Sequence, residues 1–147
     1  MKVIRQGAFE TNSSSCHSIT IAEDGELLGT LFVDQGTVTL NGGEFGWEEE
    51  IYRDAATKAT YAYTYATTCV EGEEAARCLA MLHDVIKEQT CADKVFFETD
   101  NGSQYHPTGY IDHQSSDVAA EAFASAQALR QFIFNPKSVL VIDNDNH

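Results

Sequence analysis

The stretch Phe9 to Ser18, FETNSSSCHS, gathers a carboxylate, an amide, three consecutive hydroxyls and an imidazole into a few residues. Glu10 and His17 bracket it and can divide general acid and general base work, because His titrates near neutral pH and a partly buried Glu can be raised toward it. Asn12, Ser13, Ser14 and Ser15 offer donors to a bound anion or sugar, and Arg5 adds a fixed positive charge just upstream. The same residue types also suit a plain capped turn, since Ser, Thr and Asn side chains satisfy nearby backbone groups. Polar density at both ends of the loop weighs toward a functional reading.

Two further polar loops are candidates to join it. NGGEFGWEEE carries three glycines around Phe45 and Trp47, so Trp47 can wall or stack over a site. GYIDHQSSD places Asp112 beside His113, ahead of a helix that Ser116 can cap and whose backbone amides can hold an anion. In an extended chain Asp112 and His113 point to opposite faces, so both enter one site only if the chain turns there. A surface loop with its helix cap explains the stretch equally well.

Other chemistries fit poorly. Cys78, His83, Cys91 and His106 lack the spacing of a structural zinc motif, and Asp143 and Asp145 sit in a polar tail typical of a solvated end. No metal site is assigned, and no cofactor is indicated. The chain has no GxxxxGK[ST], no GxGxxG after a strand, no GxSxG and no HExxH, which argues against a P-loop ATPase, a Rossmann dehydrogenase, an α/β hydrolase and a zincin.

The elements that must position these loops follow from periodicity. Strands are expected at 2–5, 18–22, 27–34, 37–40, 94–99 and 138–143, with 27–34 and 37–40 forming an antiparallel hairpin through the turn at Gly36. A helix is expected from Glu49 to about Thr67, where Ala55, Ala59, Ala62 and Ala66 keep helical spacing although Tyr61, Tyr63 and Tyr65 alternate as a strand would. The tyrosines then read as core packing rather than a base-stacking platform. A second helix over 73–89 carries the apolar stripe Ala75, Cys78, Leu79, Leu82, Val85 and Ile86. A third starts at Asp117, buries Ala119, Phe123, Ala126, Leu129 and Ile133, and stops near Asn135 because Pro136 follows. The sum is one α+β domain over 1–147, a mostly antiparallel sheet of about six strands with about three helices on one face.

With 147 residues, 43% of them hydrophobic, the chain suits one core. Nine basic residues against 23 acidic ones give a net charge of −14, which repels nucleic-acid phosphates and anionic membranes. Partners are therefore a small polar or phosphorylated ligand, or another protein with a basic patch. The absence of a signal sequence and of a long apolar run leads us to expect a cytoplasmic protein with reduced cysteines.

RQGAFETNSSSCHS resembles an N-terminal signature, RxGxFETNSSSxHS, of small uncharacterised proteins encoded by tailed bacteriophages and some bacteria. It falls on Arg5, Gly7, Phe9 to Ser15, His17 and Ser18, with Cys16 at the variable place. GGEFGW and YIDHQS are similar to further pieces of that pattern. The resemblance implies a phage accessory protein acting inside an infected cell, in the host cytoplasm, and it supplies no activity, fold or ligand. Two readings follow: a polar cleft that binds and can transform a phosphorylated ligand such as a nucleotide, or an acidic non-catalytic protein that blocks a host protein, one that handles nucleic acid for example. A virion or assembly component is a third.

Overall fold

The computed structural model of the chain describes residues 15–45, 49–98, 109–111 and 117–144. In chain order the elements are β1 (Ser15–Thr20), β2 (Thr37–Leu40), β3 (Glu44–Phe45), β4 (Glu50–Tyr52), α1 (Ala55–Thr68), α2 (Gly72–Thr90), β5 (Lys94–Phe97), β6 (Tyr110–Ile111), a 3-10 segment (Val118–Ala124), α3 (Ala126–Phe134) and β7 (Val139–Asn144).

Helix α1 is the centre of the molecule. Asp54 caps it, its carboxylate accepting from Thr57 N at 2.8 Å. The whole run from Tyr61 to Ala66 is buried, so the tyrosine alternation reflects a helix enclosed on all sides, not a strand. Tyr65 stacks on Phe123 and Tyr63 packs beside Phe97. The core then gathers Cys78, Leu82, Val85 and Ile86 from α2, Leu129, Phe132, Ile133 and Phe134 from α3, and Leu140 and Ile142 from β7. Burying each large apolar side chain stabilises by about 1.5–3 kcal/mol. Glu73 and Glu74 at the start of α2 and Lys87 near its end suit the helix dipole.

The α+β class holds, but the single six-stranded antiparallel sheet does not. Among the described residues the strands form a three-stranded antiparallel sheet in the order β1-β7-β4 and two parallel pairs, β2 with β5 and β3 with β6. The turn at Gly36 forms as expected: Gln35 and Gly36 both have positive φ, and Asp34 and Thr37 exchange backbone hydrogen bonds at 2.9 and 3.0 Å. The hairpin ends there. Residues 27–33 join no ladder among the described residues: Gly29 N donates instead to Phe134 O at 2.8 Å, while Val38 and Leu40 find their burial in parallel pairing with β5.

Two helix starts also move. Residues 50–52, expected as the opening of the first helix, pair with β7 as an edge strand, and α1 waits for the Asp54 cap. The helix expected to run on from Asp117 breaks at Ser125, whose extended backbone (φ −159°, ψ 162°) ends the 3-10 segment and whose Oγ accepts from Ala128 N at 3.0 Å to start α3. That restart resets the helical phase, leaving Ala126 exposed. The expected strand at 2–5 lies outside the described residues. No described helix is long and apolar enough to cross a membrane.

Candidate functional site

The signature's described end is β1. There Ser15 to His17 is strand rather than loop, since alternation along β1 turns His17 inward and Cys16 and Ser18 outward, against β7 in the register His17↔Ile142. His17 is 5% exposed, and its Nδ1 lies 2.9 Å from the hydroxyl of Tyr61, itself 0% exposed. The two rings tilt at 54° with centroids 5.8 Å apart. Either the hydroxyl donates to the bare nitrogen or Nδ1–H donates to the hydroxyl oxygen; both forms keep a hydrogen-bonded imidazole and phenol in contact, a pair able to pass a proton.

Helix α1 ties this pair to the other two loops. Phe45 at the end of β3 meets Tyr61 edge-on, centroids 4.9 Å apart at 79°. One turn further along α1, Thr64 Oγ1 accepts from Gly43 N at 3.0 Å and donates to Thr60 O at 2.7 Å, pinning the start of β3 to the helix. β6 then lies parallel to β3, in the register Glu44↔Tyr110 and Phe45↔Ile111. Gly109 allows this approach: its φ is +106°, and a Cβ there would stand 2.6 Å from Gly43 O and 2.8 Å from Gly43 N.

Parallel pairing has a topological result. Segments 46–48 and 112–116, separated by more than sixty residues of sequence, continue from adjacent partners Phe45 and Ile111 at the same end of the pair. Segment 10–14 joins β1 at Ser15, about 7 Å of strand from His17. Phe45, where one loop attaches, touches Tyr61; Ile111, where the second attaches, is the register partner of Phe45; and Ser15, where the third attaches, lies two residues from His17 in β1. Of the site residues expected from sequence, two are described: His17 is buried within β1 rather than in a loop, and Ser15 belongs to β1 opposite Asn144. Arg5, Glu10, Asn12, Ser13, Ser14, Trp47, Asp112, His113 and Ser116 lie outside the described residues.

Sequence reasoning missed Tyr61 as the partner of His17, because nothing links residues 44 apart except that a buried tyrosine hydroxyl seeks a partner. It also missed Lys58, which the sequence shows only as one of nine basic residues. Lys58 is fully buried and donates from Nζ to Asn135 O at 2.9 Å and to Ser138 O at 2.8 Å, with the Phe132 ring centroid 6.0 Å away. Burial pulls its pKa down to about 8, against the opposing pull of Asp54 and with a further push down from Arg53. Around it, Asn135 Nδ2 donates to Asp24 O and to Gln131 Oε1, each at 2.8 Å, and Ser138 Oγ donates to Gln131 O at 2.7 Å. This network binds α1 to the α3–β7 turn.

Among the described residues no group of three or more His, Cys, Asp or Glu is arranged to hold a metal ion. His83 sits half-buried on α2, 3.0 Å from Asp84 and edge-on to Phe97. Cys78 faces the core as expected, where desolvation, joined by the nearby Glu74, raises its pKa to about 11. No family model, curated protein or solved structure matches the chain.

Proposed function

We propose that the chain is a phage-type accessory protein with one polar cleft, at the shared end of β3 and β6 beside the His17–Tyr61 pair, that binds a phosphorylated small ligand such as a nucleotide. The observation that supports this reading is the Phe45↔Ile111 register, with Phe45 against Tyr61, because these paired residues are the ones to which two of the three polar segments are joined. In this reading Arg5, Asn12, Ser13, Ser14 and Ser15 hold the anion, Trp47 walls the ligand, and Asp112 and Ser116 complete the cleft. Turnover, where it occurs, draws on Glu10 and His113, with His17 fixed within β1 by its hydrogen bond to Tyr61.

A thermal-shift series with nucleoside mono-, di- and triphosphates, with and without Mg2+, tests the reading. A ligand at 100 times its dissociation constant adds about 2.7 kcal/mol and raises the melting temperature. Trp47→Ala is the informative variant, expected to melt like the wild type while losing the response. No shift with any of these ligands removes the reading.

The second reading, an acidic protein that occupies a host protein, is favoured by a different observation: Leu28 and Phe32 stand 66% and 82% exposed on a segment that joins no ladder among the described residues. Pull-down from bacterial lysate at low and high salt separates the two, since a partner held by charge is released as screening rises.

A further inference from the structure

The segment between β1 and β2 is held firmly and yet shows apolar side chains to solvent. Three contacts anchor it: Ala22 N donates to Ser138 Oγ at 2.9 Å, Asn135 Nδ2 to Asp24 O at 2.8 Å, and Gly29 N to Phe134 O at 2.8 Å. Ile21, Leu27 and Leu31 pack on the core. Between and beyond them, Leu28, Phe32 and Val33 turn outward, 66%, 82% and 38% exposed. Single exposed apolar residues are ordinary, but here three stand close together in sequence on one anchored segment, led by a phenylalanine that is 82% exposed.

The charge around this ridge states what can cover it. Glu23, Asp24, Glu26 and Asp34 are all exposed on the same segment, which has no Lys or Arg from Ile21 to Gly36. Lys137 lies beside Gly25 at one end. A second copy of the chain would bring like-charged segments together, each on a molecule of net charge −14. An anionic membrane is repelled for the same reason.

We propose that the ridge of Leu28, Phe32 and Val33 docks into an apolar groove rimmed by lysine or arginine on another protein. The inference deepens the second reading above and is independent of the cleft. The aromatic anchor supplies the apolar contact, and the flanking carboxylates steer it and set its orientation.

The probe is a fluorescently labelled synthetic peptide of alternating Lys and Leu, followed by anisotropy against the full chain. The wild type is expected to bind it saturably at low salt, Phe32→Ser to bind at least tenfold more weakly with an unchanged melting temperature, and the peptide with Glu in place of Lys not to bind. No binding by the wild type, or equal binding by Phe32→Ser, overturns the proposal. So does a melting temperature lowered by several degrees in Phe32→Ser, which would mean that the chain covers the ridge itself, or a wild-type dimer that Phe32→Ser dissociates. A lysate protein captured equally by the wild type and Phe32→Ser removes this surface and leaves the second reading standing.

Discussion

A histidine inside a strand and a tyrosine in the middle of a helix form the most informative contact in the molecule. Their 2.9 Å hydrogen bond lies wholly in the core, where a lost partner is costly because water does not replace it. Tyr61→Phe keeps the ring against Phe45 and removes only the hydroxyl. It is expected to lower unfolding free energy by about 1–2 kcal/mol in urea melts. An unchanged midpoint would show that the contact carries no stability. At this scale the sequence was partly legible: His17 stood out by its neighbours' polarity, but its burial did not. The loop ends three residues before the strand expected at 18–22, because pairing with β7 recruits Ser15, Cys16 and His17 into β1.

Among the elements, legibility followed how evenly each one is surrounded. α2 has one solvent face, so its stripe of Cys78, Leu82, Val85 and Ile86 shows at spacings of three and four. α1 is buried nearly all round, which dilutes that signal; the alanine spacing still identifies it. β3 and β6 are two residues each and had no readable pattern, although their pairing sets Phe45 beside Ile111. Gly109 is their point of weakness, since an added Cβ meets the Gly43 backbone rather than a side chain that can move aside. Gly109→Ala is expected to cost about 1–3 kcal/mol from strained backbone alone, measured by denaturant melts. If the cleft reading holds, the variant also loses its ligand-induced thermal shift; retention of that shift would detach the site from the β3–β6 pair.

The whole molecule carries a buried ammonium whose cost depends on pH. Folded Lys58 gives up its proton near pH 8, whereas the unfolded chain keeps it to about 10.5. Between those values the unfolded state binds more protons, so this residue makes stability rise with pH, by up to roughly 3 kcal/mol in all. Tyr63 and Tyr65, with pKa values raised chiefly by burial, act in the opposite sense above pH 10, so the effect must be read as a difference. Wild type minus Lys58→Met, followed by denaturant melts from pH 7 to pH 10.5, is expected to shift in favour of the wild type as pH rises. A flat difference would mean that the carbonyls of Asn135 and Ser138 hold the charged form as well as water does.

What sequence alone determined is local: the 3.6-residue spacing of α1 and α2, the stop before Pro136, the positive-φ turn at Gly36 and the buried strand near the C-terminus. Each is set within a few residues by sterics and side-chain period. Tertiary structure decided the partners: β7 between β1 and β4, β2 beside β5, β3 beside β6, Tyr61 against His17, and Lys58 beneath the α3–β7 turn. Strand period states which face is buried but carries no information on which distant strand supplies the hydrogen bonds. For FETNSSSCHS, that choice turned a polar run beside an expected strand into one whose described end is strand β1, with His17 in the core against Tyr61.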